Sequence, residues 1–244
     1  MEQRINQRFL NDFVDIDMLI DRAKSEFSLV TSKSSSEIFS YINQRLDYIS
    51  KDSELATKSI EQFLRFSNFE SAQSLLHNSF ELLSDFNKNF FAARIAYGEN
   101  NFSEAHRFIE LINASDPNVK TGSYFRLTAS VYSELNMLPA LLSAIGKWSA
   151  LWPTRAEPFL LLAEYYATKG CTVEARAAYV NSLKLEWDSP AVNLSYCNFL
   201  LSNGDIDGAT ELVQKIIPIT SNQKKEVSRL FAILGLDNTK FNVV

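Results

Sequence analysis

Residues 169–175 read Lys-Gly-Cys-Thr-Val-Glu-Ala, and residues 203–209, 34 positions later, read Asn-Gly-Asp-Ile-Asp-Gly-Ala. Weaker copies of the segment occur earlier, at residues 101–105 and 68–72. The last position of the segment can be followed along the chain. It is occupied by Ala72, Ala105, Leu141, Ala175 and Ala209, with spacings of 33, 36, 34 and 34. A period of this size is typical of a solenoid built from helical hairpins.

Glycine and proline are scarce and unevenly placed. The 244 residues include seven Gly and six Pro, and none of these precedes Gly98. A β-sheet domain uses Gly and Pro at its turns, and a phosphate-binding loop needs Gly for close backbone approach. The composition therefore predicts an all-α chain and excludes most nucleotide-binding α/β enzymes.

Periodic apolar residues predict the helices of the N-terminal half. Residues 3–30 form one strongly amphipathic pattern. A capping box of Ser34 and Glu37 predicts a second helix that continues to Ile49, and a third helix begins near Ser53. Ser67 and Glu70 predict another capping box. In this half, Ser and Asn side chains are expected to make the turns.

The repeat resembles the tetratricopeptide repeat (TPR) family, most clearly over residues 86–223. The best unit carries the family's pattern of large and small residues at Phe159, Leu162, Ala163, Tyr166, Gly170, Ala175, Tyr179 and Ser182. In this pattern the alanines let the two helices of a hairpin approach closely, and the tyrosines fill the gap to the next hairpin. The resemblance implies a right-handed superhelical solenoid of TPR-like hairpins.

The repeat register divides the chain into three parts. Residues 1–52 are a divergent N-terminal helical hairpin, and residues 224–244 are a C-terminal capping helix and tail. The TPR-like array between them, residues 53–223, has units at about 53–86, 86–119, 122–155, 156–189 and 190–223.

The resemblance also implies a binding groove, because the first helices of TPR hairpins line a concave face. The family's groove positions fall here on Phe90, Arg94, Tyr97, Arg126, Ser130, Ser133, Leu160, Glu164, Leu194, Asn198 and Leu201. Cochaperone TPR domains use a Lys and an Asn to clamp a terminal carboxylate, but only Asn198 matches, and Leu194 stands at the Lys position. The groove therefore suits a mixed apolar and acidic peptide, or a helix.

Residues 203–214 resemble a calcium loop of the EF-hand type, but position twelve is Gln214, which cannot supply the bidentate carboxylate. Asp205 and its neighbours are instead predicted to form a turn and a helix cap. His77 and His106, the only histidines, lack metal-ligand spacing. Cys197 is predicted to be core filler. The three tryptophans are predicted to pack between hairpins, and they are Trp148, Trp152 and Trp187.

A formal charge of −5 without a basic run disfavours nucleic acid as a partner. Two cysteines and no apolar leader at residues 1–4 predict a cytoplasmic protein with reduced thiols, and no apolar run is long enough to insert in a membrane.

These features predict a non-catalytic interaction scaffold or adaptor that binds a protein partner and uses no metal or cofactor. The alternatives are a regulatory or substrate-presenting module of a larger enzyme system, such as a glycosyltransferase, and a chaperone for secreted or assembling subunits. Residues 3–30 have two interpretations, an N-terminal cap on the first hairpins or a surface for homodimerisation or partner capture.

Overall fold

The computed structural model of the chain describes Phe27 and residues 34–236. Within these residues the regular elements are helices, and no strand occurs. Five helical hairpins follow one another and are numbered I to V. Their first and second helices are Ser53–Arg65 and Phe69–Asn78 (I), Asp85–Gly98 and Phe102–Glu110 (II), Gly122–Glu134 and Leu138–Leu151 (III), Glu157–Thr168 and Thr172–Leu185 (IV), and Pro190–Ser202 and Ile206–Val213 (V).

Further helices lie before, between and after the hairpins. Ser35–Asn43 and Leu46–Ile49 pack against the first helix of hairpin I. Short 3₁₀ turns at Phe80–Leu82 and Pro117–Lys120 connect hairpins, and Ser221–Ile233 packs on both helices of hairpin V. The described residues form two compact units that part between Val119 and Lys120. Unit one holds hairpins I and II, and unit two holds hairpins III to V with the last helix.

Within each unit the hairpins stack in chain order. The first helix of hairpin II contacts both helices of hairpin I, and the first helix of hairpin IV contacts both helices of hairpin III. First helices therefore contact one another along each unit. The all-α repeat fold predicted from the 34-residue period is confirmed.

The same backbone turn joins the two helices of every hairpin. One residue in the left-handed region follows each first helix, and these residues are Ser67, Asn100, Asn136, Gly170 and Gly204, at spacings of 33, 36, 34 and 34. The next residue donates its amide to a carbonyl five positions earlier, for example Asn68 to Phe63 at 2.8 Å and Cys171 to Tyr166 at 2.9 Å. This bond closes a Schellman motif, so the repeat is visible in the backbone even where the side chains have diverged.

Two predictions for the N-terminal half are wrong in detail. The helix that begins after the Ser34–Glu37 capping box does not continue to Ile49, because a turn at Gln44 and Arg45 separates it from a second, short helix. Ser67 and Glu70 do not form a capping box. Ser67 has φ 56°, and the cap is Asn68, whose side chain accepts a hydrogen bond from the Ser71 amide at 3.2 Å. The Ser34–Glu37 capping box itself is confirmed.

The predicted amphipathic helix over residues 3–30 lies outside the described residues, apart from Phe27. The Phe27 side chain is buried, and its ring meets the Tyr41 ring edge-on at 6.4 Å between centroids. At this one position, the apolar side chain packs against the helix Ser35–Asn43 of the same chain.

Trp148 and Trp152 pack as predicted, but Trp187 does not. Trp148 is 2% exposed, and Trp152 lies against the same cluster, edge-on to Phe125. Trp187 is 76% exposed in the turn after hairpin IV, where its carbonyl accepts a hydrogen bond from Asn193 Nδ2 at 2.9 Å. The main chain of Trp187 takes part in the turn, and its ring lies outside the core.

Substitutions at two of the left-handed turn residues are expected to change stability in opposite directions. A side chain in this region is strained, so we expect Ser67→Gly to stabilise unit one by about 0.5–1 kcal/mol, and Gly170→Ala to destabilise unit two by about 1–2 kcal/mol. Ser143→Gly is the matched control, because Ser143 is exposed in the middle of a helix and glycine costs about 0.5 kcal/mol there. Chemical denaturation measures all three. A loss of stability in Ser67→Gly would contradict this interpretation.

Candidate functional site

The predicted groove residues of unit two lie on three consecutive first helices. Arg126 and Ser130 belong to hairpin III, Leu160 and Glu164 to hairpin IV, and Leu194 and Asn198 to hairpin V; their helices contact one another in that order. Ser133 also belongs to hairpin III and Leu201 to hairpin V. The remaining predicted residues belong to unit one, on the first helix of hairpin II; they are Phe90, Arg94 and Tyr97.

Polar contacts connect each first helix of unit two to the next. The Arg126 guanidinium pairs with the Glu157 carboxylate. Ser195 Oγ donates to Glu164 Oε1 at 2.9 Å. Arg229, on the last helix, donates to Asn198 Oδ1 at 2.7 Å. Each contact joins residues 31 positions apart in the sequence, about one repeat. We call these three contacts the first-helix ladder.

Two contacts of the ladder reach further groups. The Ser195 hydroxyl, which donates its hydrogen bond to Glu164, also lies 3.0 Å from the Tyr179 hydroxyl. Tyr179 is therefore the donor in this second hydrogen bond. Burial raises the pKa of Tyr179, which keeps this donor protonated. In the last contact of the ladder, Asn198 Nδ2 also donates to Glu226 at 3.2 Å. The hydrogen bond from Arg229 lowers the pKa of Glu226, so that carboxylate stays ionised at neutral pH.

Two of the predicted groove residues are part of the core. Phe90 is 5% exposed and Leu194 is 8% exposed. Leu160 is half-buried and packs on the same core cluster as Leu194. A ligand on the first helices would therefore meet mainly the polar members, and the apolar part of the surface is smaller than the family positions implied.

Arg94 and Tyr97, in unit one, each contact an aromatic ring. The Arg94 guanidinium lies 5.6 Å from the centroid of the Phe90 ring, and the Tyr97 ring lies 5.5 Å from the Phe102 ring. Both side chains are half-buried. The Arg94 charge is thus held over an aromatic face on its own helix.

Sequence reasoning missed the partners in the ladder, which are Glu157, Ser195, Glu226 and Arg229. Ser195 is not a family groove position, and Glu226 and Arg229 follow the last repeat unit. Glu157 stands at the second position of its unit, a family groove position, but was not among the predicted residues. Their spacing from the predicted residues is the signal that was present, since 31 residues separate Arg126 from Glu157 and Asn198 from Arg229. One helix-to-helix step brings residues at this separation together.

Asp205 serves the turn and cap predicted for it. Its Oδ1 accepts a hydrogen bond from the Gly208 amide at 3.0 Å, and its Oδ2 accepts one from Arg176 at 3.0 Å. The hydrogen bond from the Gly208 amide lowers the pKa of Asp205 the most, and the hydrogen bond from Arg176 lowers it further. His77 and His106 lie on second helices, where Nε2 of His106 is 3.6 Å from Glu110. In residues 34–236 no three His, Cys, Asp or Glu side chains gather as they would around a metal ion.

Cys197 is fully buried beside Ala209 and occupies a small-residue position of the repeat, as predicted. Its Sγ lies 3.5 Å from the Ala209 carbonyl oxygen, and both cysteines are free thiols. Burial raises the pKa of the Cys197 thiol to about 11.

This raised pKa predicts a loss of stability at alkaline pH. Above the ordinary thiol pKa, Cys197 is ionised in the unfolded chain but stays protonated in the folded chain. The contribution of the buried thiol to the free energy of unfolding is therefore present below about pH 9 and is lost as the pH rises toward 11. We expect the difference in melting temperature between wild type and Cys197→Ala to shrink from pH 8 to pH 10. In the native protein at pH 8, Cys197 should also react with iodoacetamide about a hundredfold more slowly than when unfolded. Equal rates for Cys197 and Cys171 would contradict this.

No helix in the described part of the chain has the length and apolar character that crossing a membrane requires. The sequence matches no protein-family model and no curated protein.

Solved structures do resemble the fold. A thermophilic TPR protein of Thermus thermophilus superposes with a TM-score of 0.59 at 17% identity, covering 74% of this chain and 99% of that one. PilF of Pseudomonas aeruginosa gives 0.55 at 16% identity, covering 78% and 86%. BtubC of P. vanneervenii gives 0.53 at 14% identity, covering 87% and 92%. At these identities the likeness concerns the backbone arrangement, which agrees with the five hairpins and their repeated turn. The chain therefore has a helical-repeat fold like that of TPR proteins.

Proposed function

We propose that this protein is a non-catalytic scaffold that binds a peptide or helix of a protein partner on the first helices of its hairpins. One observation carries the proposal. Three consecutive first helices of unit two place polar side chains outside the core, at Arg126, Glu164 and Asn198, and these side chains contact the neighbouring helix. A partner lying across the helices would meet one such group at each step.

The energetics of the ladder favour exchange with a ligand. Exposed ion pairs such as Arg126–Glu157 contribute only about 0–1 kcal/mol, so Arg126 can leave Glu157 for a carboxylate of the partner at small cost. Leu160, half-buried beside them, offers apolar contact. Arg94 in unit one adds a second cation on a first helix. The expected ligand is a segment with both acidic and apolar residues.

The free thiols of Cys171 and Cys197 support the cytoplasm as the place of action, since a reducing compartment keeps thiols unpaired.

The test combines charge reversal with site-directed photo-crosslinking in the full-length chain. A benzophenone side chain at Ser130, on a first helix, should capture a partner, whereas one at Ser143, on a second helix, should not. Arg94→Glu/Arg126→Glu should abolish the crosslink at position 130. The matched control is Lys147→Glu/Lys184→Glu, which makes the same charge change on exposed second-helix positions and should leave capture intact.

Unchanged capture in the Arg94→Glu/Arg126→Glu variant would overturn the proposal. Residues 3–30 would then be the better candidate for partner binding. Circular dichroism of both variants shows whether they fold.

A further inference from the structure

Unit one contains a cleft of about 780 Å³ between the second helices of hairpins I and II. The first helix of hairpin II forms its base. The apolar surface of the cleft comes from Leu76, Phe80, Ala92, Ile95, Ala96 and Phe108. Phe80 is 46% exposed, and Lys88 Nζ lies 4.8 Å from the centroid of its ring. The cleft lies on the second-helix side of the hairpins and does not include Arg94 or Tyr97.

The repeat register explains why this space is open. Four residues before the left-handed turn residue, hairpins III and IV carry Tyr132 and Tyr166, and hairpin V carries Leu200. Tyr166 packs against both core clusters of unit two, filling the gap between hairpins. Hairpin II has Ala96 at the same position. The ring that occupies this position in hairpins III and IV is missing here.

The rim of the cleft is acidic. Its carboxylates are Glu70, Glu99 and Glu104; His77 also lines the cleft, and no Lys or Arg does. Glu104 is engaged by Arg107 on its own helix, Nε to Oε2 at 2.9 Å. Glu70 and Glu99 make no ion pair with any residue in the described part of the chain. Two carboxylates without an ion pair thus stand beside an apolar cavity, and the Lys88 ammonium beside Phe80 lies 3.4 Å from Asp85.

We propose that this cleft is a second binding site, which takes a protein segment carrying a large apolar side chain next to Lys or Arg. The apolar side chain occupies the place that Tyr132 and Tyr166 fill in their own hairpins, and its cation lies against Glu70 and Glu99. The charge preference is opposite to that of the first helices of unit two, where Arg126 favours an acidic segment. The protein can therefore hold two segments of different charge.

The experiment uses a fluorescein-labelled model peptide, an amphipathic helix of Leu and Lys with one Trp, and a counterpart in which Glu replaces Lys. Fluorescence anisotropy with the full chain should show binding of the Lys peptide, weakened by salt, and none of the Glu peptide. Ala96→Tyr should weaken binding of the Lys peptide at least about tenfold, because a ring already occupies the cavity. The hairpins that carry Tyr at this position show that the fold accepts it.

Two variants separate the charge from the cavity. Glu70→Gln/Glu99→Gln should weaken binding of the Lys peptide several-fold and reduce its salt dependence. Glu81→Gln/Glu134→Gln, which removes two exposed carboxylates outside the cleft, should change neither. Arg94→Glu/Arg126→Glu should also leave the affinity for the Lys peptide unchanged, so failure of this proposal is distinguishable from failure of the first-helix site.

Equal affinity of Ala96→Tyr and wild type for the Lys peptide would overturn the proposal, as would equal binding of the Glu peptide. Two other occupants would also overturn it. A benzophenone at position 96 that crosslinks to residues 1–33 would show that the chain covers its own cleft. A dimer in sedimentation that Ala96→Tyr dissociates would assign the cleft to a second copy.

Discussion

We expect Trp148→Ala to reduce the free energy of unfolding of unit two by about 3–5 kcal/mol, the range for removing a large aromatic residue from a packed core. Trp148 is 2% exposed and stacks on Phe125 at 6.4 Å between centroids and 15° between planes. It belongs to a cluster with Ala129, Leu141 and Tyr165, which joins hairpins III and IV. Truncation leaves a cavity at this junction, where local relaxation cannot close it.

Trp187→Ala is the control for Trp148→Ala. It deletes the same side chain from a position that is 76% exposed, so we expect a change within about 0.5 kcal/mol. Urea denaturation followed by circular dichroism measures both variants without depending on tryptophan fluorescence. Similar losses in the two variants would mean that the Trp187 ring packs, contrary to the structure.

We expect Gly98→Ala to destabilise unit one by about 1–3 kcal/mol, although alanine is the better helix former. A Cβ atom at Gly98 would lie 2.2 Å from Cε1 and Cζ of the Phe69 ring. Gly98 ends the first helix of hairpin II, and Phe69 begins the second helix of hairpin I. The glycine lets the ring of one hairpin contact the backbone of the next.

Gly146→Ala makes the same change at an exposed position in the middle of a helix, where a Cβ meets no atom within 4 Å. We expect it to stabilise unit two by about 0.5–1 kcal/mol. A double variant tests the cause of the Gly98 effect, since Phe69→Leu removes the ring and should make Gly98→Ala less costly than in the wild type. If the two substitutions are additive in thermal denaturation, the clash is not the reason.

Much of the fold could be predicted from local patterns. The 34-residue period, the buried Ala163 and Ala175, and the cap at Asp205 all follow from residues close in sequence. The errors came where side chains compete locally. Ser67 and Asn68 are both common capping residues, and which of them caps depends on where the preceding helix ends. That helix ends so that Ser67 takes the left-handed position.

The candidate site was predictable only in part. Arg126, Glu164 and Asn198 could be placed on first helices from the repeat register. Their contacts with Glu157, Ser195 and Arg229 could not, because these depend on how one hairpin is rotated against the next. Burial of Phe90 and Leu194 has the same origin, since a residue on the edge of a helix faces the core or the solvent according to that rotation.

The sequence by itself determined that this chain is helical, where its hairpins turn, and which residues have the size and polarity for each helix face. Only the tertiary structure decided which side chains meet across hairpins and where Ala96 leaves a cavity. The reason is the range of the interactions. Capping, helix propensity and turns act over about five residues, so they can be read along the chain. Contacts between residues 31 positions apart depend on the packing of several helices at once, and small rotations of those helices change which side chains meet.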